Sequence, residues 1–247
     1  PVFNARAGLR TRAAQPNDIQ IPAGASSDKL TNYEIGLKGS FFENRFTANL
    51  AAFYIDWNNI QVQANRVSDA IQFATNIGGA VSKGIEFELV ARPVEGLRLQ
   101  ASGAYIDARI DDLTPTEAAI SGAEDGIRLA TPEFQGSATA TYSFPVGDTE
   151  TAFATGNVAY VGSFPGLFPN VPGQPGVQSP QYDFTDEYVF VNAYAGVNLS
   201  PDLTITAYVE NVLDNEAINY VHPEAFLDGR YGRLRPRTFG VRTNFVF

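Results

Sequence analysis

The sequence predicts an all-β protein, an antiparallel transmembrane β-barrel wall, and three observations carry that prediction. Ten segments alternate apolar and polar residues with a period of two. The connections between them alternate four short turns with five long loops, the pattern of a membrane barrel. The chain ends on a strand, residues 238–247, whose final residue is an aromatic, Phe247. Soluble domains usually end in polar, frayed residues, whereas a strand edge in lipid has no water to satisfy it.

Taken in order, residues 2–10 set Phe3, Ala5, Ala7 and Leu9 against Asn4, Arg6 and Arg10. After a polar loop, 33–41 alternates Tyr33, Ile35 and Leu37 with Glu34 and Lys38. A tight turn at 42–45 leads into 46–55, where Ala48, Leu50, Ala52 and Tyr54 oppose Thr47 and Asn49. A long connection, 56–80, is expected to carry Trp57, and 84–92 then places Ile85, Phe87 and Leu89 opposite Glu86 and Glu88. The turn 93–96 joins it to 97–106, with Leu99, Ala101 and Tyr105 against Arg98, Gln100 and Ser102. An acidic loop, 107–132, precedes 134–144, which alternates Gly136, Ala138, Ala140 and Tyr142 with serines and threonines. The turn 145–148 leads to 149–161, and a proline-rich loop, 162–181, follows. Strands at 189–199 and 203–210 flank the turn Ser200-Pro201-Asp202, and a last long loop, 211–236, leads to the closing strand.

At 247 residues and 44% hydrophobic, the chain suffices for one large β-domain. It has no apolar run of about 18 residues, which excludes a membrane helix but not barrel strands. A net charge of −10 excludes nucleic acid as a partner, and the absence of cysteine excludes disulfides and thiolate metal sites. Beginning at Pro1 without Met or signal peptide, the chain reads as processed or truncated. The apolar rows must face lipid, because a basic side chain at mid-membrane costs about 2–4 kcal/mol. Tyr33, Tyr54, Tyr105, Tyr142 and Phe144 fall at strand ends on the apolar face, where an interfacial aromatic belt belongs.

Five motifs in order resemble the C-terminal barrel of a TonB-dependent outer-membrane receptor. They are N-Y-E-I-G-L-K-G at 32–39, A-A-F-Y-I-D-W-N-N-I-Q at 51–61, S-K-G-I-E-F-E-L at 82–89, E-N-V-L-D-N at 210–215 and R-P-R-T-F-G-V-R-T-N-F-V-F at 235–247. The resemblance implies about ten strands of a 22-stranded barrel, with the plug domain, the TonB box and the N-terminal strands missing. It further implies a cell outer membrane in a Gram-negative bacterium and energised uptake of a scarce nutrient, with a ferric siderophore as the family's commonest cargo. The partners implied are outer-membrane lipid and lipopolysaccharide, the barrel-assembly machinery, the nutrient ligand, and the TonB complex acting through the missing part. The piece alone, with an open edge at 2–10, is not expected to transport. A self-contained small barrel acting as adhesin or enzyme is the alternative, and a soluble β-sandwich binding module a third reading.

Glu34, Lys38, Glu86, Glu88, Arg98, Glu210 and Arg242 fall on the polar, lumen-facing rows. They either line a substrate path or solvate the wall and contact a plug. Glu86 and Glu88 are spaced about 6.6–6.8 Å apart along one strand face, but no aromatic sugar platform adjoins them, and no enzyme is expected. Trp57, Phe164, Phe168, Tyr182, Phe184, Tyr220 and Tyr231 are loop aromatics that contact a ligand or pack the loops. Arg233, Arg235 and Arg237 form a basic knot suited to an anionic ligand, to lipopolysaccharide or to loop carboxylates. Phe239, Val241, Phe245 and Phe247 resemble the terminal signal read by the barrel-assembly machinery. The acidic loop lacks calcium-loop spacing, and His222 is the single histidine, so neither a metal site nor a cofactor is expected.

Overall fold

The structure, a computed structural model, describes residues 2–4, 20–66, 71–148, 150–166, 168–180, 182–222 and 230–246. Nine strands form one antiparallel sheet: β1 Lys29–Phe41, β2 Phe46–Arg66, β3 Ile71–Ala91, β4 Leu97–Asp111 and β5 Phe134–Pro145. The order continues through β6 Thr151–Val161, β7 Tyr188–Ser200, β8 Leu203–Glu210 and β9 Thr238–Phe245. Every strand pairs with its neighbours in sequence, giving an up-and-down meander. Among the described residues, β1 and β9 pair on one side only, so the sheet does not close.

The register sorts the side chains into two faces. One apolar row runs Leu37, Leu50, Phe87, Gly103, Gly136, Tyr160, Val189, and the next runs Ala48, Leu89, Ala101, Ala138, Val158, Val191. Their neighbours on the opposite face run Lys38, Asn49, Glu88, Ser102, Ser137, and Gln100, Thr139, Asn157, Asn192. A slip of one residue would exchange the two sets entirely, so the pattern fixes the register.

The apolar face is uncovered. Ile85 is 57% exposed and Val158 42%, although both sit on inner strands of the sheet. The buried hydrophobic residues, including Ile60, Ile77, Ile110 and Val221, all lie toward the long-loop end. A soluble sandwich would bury the middle of the sheet against a second one, and none packs there among the described residues. Such a face requires lipid. Aromatic pairs mark both borders of the apolar band. Phe134 and Tyr160 lie 5.8 Å apart toward the loops, and Tyr142–Phe144 (5.7 Å) and Phe41–Phe46 (6.1 Å) toward the short turns.

Several expected boundaries change. The segment 56–80 is not a loop: β2 and β3 are 21 residues each and continue as a paired hairpin far beyond a membrane strand's length. Ile60, Val62 and Ala64 opposite Ile77, Thr75 and Phe73 continue the pairing, and the polar residues between them disguised it. The acidic stretch holds the end of β4 and a helix, α1 Pro115–Ser121, with a Thr114/Glu117 capping box and Pro115 in its first turn. The last two loops contain hairpins, Asn170–Val171 with Gln174–Gln178 and Ile218–Val221 with Tyr231–Arg233. At the start, Val2–Phe3 pairs with Gly24–Ala25 outside the main sheet, and residues 5–10 of the expected first strand lie outside the described residues.

The two faces make opposite predictions for one substitution. Val158→Arg on the apolar face is expected to lower the stability of the full-length protein folded in lipid vesicles by about 2–4 kcal/mol. Thr139→Arg on the polar face should cost well under half of that. Urea unfolding in vesicles reads the difference, and equal losses would mean the faces are misassigned.

Candidate functional site

The polar face and the loop layer above it hold the residues with chemistry to offer. On the polar face, hydroxyls and amides join neighbouring strands: Ser102 with Ser137 (3.1 Å), Thr141 with Thr155 (3.0 Å), and Asn157 donating to Thr139 (2.9 Å). Three rings lie flat across glycines of the next strand. A Cβ on Gly84 would come 2.7 Å from Phe53, one on Gly196 2.5 Å from Phe153, and one on Gly240 2.7 Å from Tyr208.

Of the seven charged candidates, the structure gathers four, on β1 and β3, the two strands that flank β2. Glu34, Lys38, Glu86 and Glu88 line an open cleft of about 370 Å³, in which Asn49 donates to Glu88 at 3.1 Å. Arg98 lies on β4 opposite Thr141. Glu210 and Arg242 are on the far strands β8 and β9, the Arg242 guanidinium 5.6 Å from the centre of the Tyr208 ring. The seven therefore do not form one site.

The loop candidates divide in the same way. Trp57 lies on β2, donates its indole N–H to Asp28 at 2.7 Å, and with Phe168 packs on the cluster of Ile60, Ile77, Ala80, Ile110 and Ala123. Both support the loop layer. Phe164 is half-buried, its backbone bonded to Thr185. Tyr182, Tyr220 and Tyr231 belong to two loops joined edge to edge. Tyr231 donates its hydroxyl to Asp183 at 2.6 Å, and Asp186 accepts from the Ile218 amide at 2.7 Å and returns a bond to its carbonyl. Tyr182 packs edge-on to Phe184, and Tyr220 edge-on to His222. Beside them, Arg233 donates to the Glu216 carbonyl, Arg235 is exposed, and Arg237 pairs with Asp214 at 3.3 Å. Asp183, flanked by Tyr182 and Phe184, thus meets Tyr231, whose strand also carries Arg233, while Tyr220, in register with Gly232, lies on the opposite face of that hairpin from Tyr231, which is in register with Val221. The Asp183 carboxylate holds the Tyr231 phenol above its ordinary pKa. The raised value means that the latch between the loops is intact at neutral pH and is lost only as pH rises through that value.

Sequence reasoning missed what positions these loops. Asn211, 1% exposed and in the left-handed region at φ 53°, donates to the carbonyls of Asn215 and Arg235 and accepts from the Asn215 amide, all at 2.9 Å. Its own amide donates to Asn192. The E-N-V-L-D-N motif is therefore a knot tying β7, β8 and the entry to β9. The side-chain amides alone signalled it, since asparagine tolerates this backbone. At the other end, Asn4 mimics a strand against Ala74, giving and taking one bond at 2.8 Å each. No group of three or more His, Asp or Glu among the described residues is placed to hold a metal.

A one-sheet meander with an uncovered apolar face, aromatic borders and long loops at one end defines a transmembrane β-barrel wall. The family model for TonB-dependent receptor-like β-barrels matches residues 5–212, and the chain belongs to that family. Barrels of this kind reside in the outer membrane of Gram-negative bacteria. The chain is 26% identical over 223 residues to the ferric-pyoverdine 358 receptor of Pseudomonas putida, covering 87% of this chain and 24% of that protein. It is 29% identical over 211 residues to a metal-pseudopaline receptor of Pseudomonas aeruginosa, covering 83% of this chain and 28% of that one. The crystal structure of the ferric-catecholate import receptor Fiu of E. coli K12 superposes with a TM-score of 0.63 at 20% identity, over 98% of this chain and 30% of that one. The chain thus spans about a quarter of the length of the two Pseudomonas relatives.

Replacing Asn211 with Ala removes three part-buried hydrogen bonds, and the folded protein is expected to lose roughly 2–4 kcal/mol. Limited proteolysis should then cut within 211–237 first, before any strand of the sheet. Unchanged cleavage would show that the knot does not hold the loop.

Proposed function

We propose that this chain is the C-terminal portion of the barrel of an outer-membrane TonB-dependent receptor that takes up a ferric siderophore or a related metal chelate. The rest of the protein, by this reading, supplies the plug domain, the TonB box and the remaining strands. The observation that carries the proposal is the barrel-family match along residues 5–212 on a sheet whose edge strands, among the described residues, each pair on one side only. An unpaired edge in hydrocarbon leaves backbone N–H and C=O groups without partners, and by this reading further strands flank β1 and β9. The same fact weighs against a self-contained small barrel. The cargo class rests on the two relatives named for pyoverdine and pseudopaline.

In this mechanism the loop surface around Tyr182, Tyr220, Tyr231, Arg233 and Arg235 makes first contact with the chelate. The aromatic faces take its organic part and the guanidinia its anionic oxygens. The polar face then forms the lumen wall, and the cleft of Glu34, Glu86 and Glu88 receives basic groups of the plug. Energy relayed through TonB moves the plug, and the chelate passes along a wall lined by hydroxyls and amides. Phe239, Val241, Phe245 and Phe247 serve as the terminal assembly signal, with Phe239 and Val241 exposed on the apolar face.

The test is uptake by the full-length gene product. Cells carrying it should accumulate radiolabelled iron from one ferric siderophore of a panel, and loss of TonB should abolish that uptake. Accumulation independent of TonB would overturn the proposal, as would no uptake of any metal chelate. Within an active receptor, Tyr231→Phe breaks the bond to Asp183 and is expected to weaken chelate binding about three- to tenfold, the range of one lost hydrogen bond. Lys38→Gln should leave surface binding unchanged.

A further inference from the structure

The charged candidates of the polar face stand on β1, β3, β4, β8 and β9. Among the described residues, the polar rows of β5, β6 and β7 hold no charge. Their hydroxyls and amides are joined to one another, Thr141 to Thr155, Asn157 to Thr139 and Asn192 to Asn157.

Rings occupy this neutral strip and its border. In register, Tyr188 meets Val161, Phe190 meets Ala159, Tyr194 meets both Thr155 and Tyr208, and Phe153 meets Gly196. All five rings therefore belong to the polar face of three consecutive strands, β6 to β8, and all are half-buried. Below the loop layer, β1 to β5 give that face Phe53 alone among the described residues. The five descend in steps. Phe190 lies about 7 Å below Tyr188 along the strand, Tyr194 and Tyr208 sit side by side about 13 Å further down, and Phe153 is about 7 Å below them. From position 188 to position 196 the file covers about 26 Å of strand, or about 20 Å of depth at a tilt near 40°, close to the height of a barrel's apolar band.

Two features suit this file to a moving ligand. Phe153 and Tyr208 lie flat on Gly196 and Gly240, so they present ring faces rather than edges. The file also begins beneath the joined loops: Tyr188 opens β7 two residues after Asp186, and the loop of Tyr231 follows β8.

We propose that Tyr188, Phe190, Tyr194, Tyr208 and Phe153 form a stacking track for the aromatic part of a metal chelate. The proposal rests on the transport reading and deepens it, naming the side of the barrel that is used and a chelate class, one that carries aryl groups. A flat group passes from ring to ring by exchanging like contacts, and no ionic side chain in the strip traps it. The charged cleft of β1 and β3 is left to the plug.

The test compares surface binding with the initial rate of TonB-dependent uptake by the full-length receptor. The probes are radiolabelled ferric complexes of a catecholate, a phenolate and an aliphatic hydroxamate. The native receptor should import an aryl complex. F190A and Y194A should bind that complex at the surface as the native protein does and import it about fivefold more slowly each, the order of one aromatic pair. Phe190→Tyr and Tyr194→Phe keep the ring and should keep the rate, whereas Tyr194→Leu fills similar space without a ring and should be as slow as Y194A. Phe53→Leu, on the charged side, should import at the native rate. Native rates in F190A or Tyr194→Leu would overturn the track, showing rings that only fill the wall or pack on the plug, while uptake itself stands. Import of the hydroxamate complex alone would overturn the aryl class. No import of any of the three would overturn the transport reading and the track with it. Heat-modifiable gel mobility establishes that each variant is folded.

Discussion

The backbone ladder is the interaction on which everything else here depends. In hydrocarbon, an unsatisfied N–H or C=O costs several kilocalories per mole, so each spanning strand must be paired along its whole length. The registers from β1 to β9, shifted once between Asn198 and Ser200 beside a short turn, meet that demand inside the sheet. Once pairing is fixed, side chains alternate without choice between lipid and lumen. The division of labour between Val158 and its neighbour Asn157 is a consequence of the ladder, not an addition to it.

Above the membrane the constraint changes. Water satisfies backbone there, and the hairpin of β2 and β3 is held by ordinary burial, with Ile60, Ile77 and Ile110 under Leu113, Ile127 and Phe168, and Ala64, Ile71 and Phe73 under Ile120 of α1. Side-chain amides then do what strand pairing does below. Asn4 pairs with Ala74 as a strand residue would, Asn76 collects Ser26 and the Asn59 carbonyl, and Asn211 joins three segments. The loop layer is thereby a packed body rather than a set of free loops. The joined pair of loops carrying Asp183 and Tyr231 presents its aromatic surface from a fixed base.

Legibility followed the strength of the alternation. The spanning parts of the strands, the two faces and the aromatic borders were readable because period two runs unbroken through segments such as 134–144. The upper half of the β2–β3 hairpin was not, since asparagine and glutamine there resemble loop composition and its length exceeds any membrane strand. The helix α1 did leave a signal, T-P-T-E, a capping box with proline in the first turn, which the acidic composition around it masked. Of the candidate residues, Glu34, Lys38, Glu86 and Glu88 converge because their strands, β1 and β3, both pair with β2. Trp57 and Phe168 pack on the hydrophobic cluster of the loop layer, a role that sequence alone does not distinguish from an aromatic that meets a ligand.

Three rings on the polar face, Phe53, Phe153 and Tyr208, lie down only because glycines on the neighbouring strands leave room for them. The contour of the polar face is therefore set in part by residues that have no side chain. A single methyl at Gly240 would meet the Tyr208 ring and stand it upright, whereas at Gly84 or Gly196 it would also strike the backbone carbonyl of Tyr105 or Ile205 and disturb the ladder itself. The relief of the wall is thus adjustable at one of these positions and locked to strand pairing at the other two.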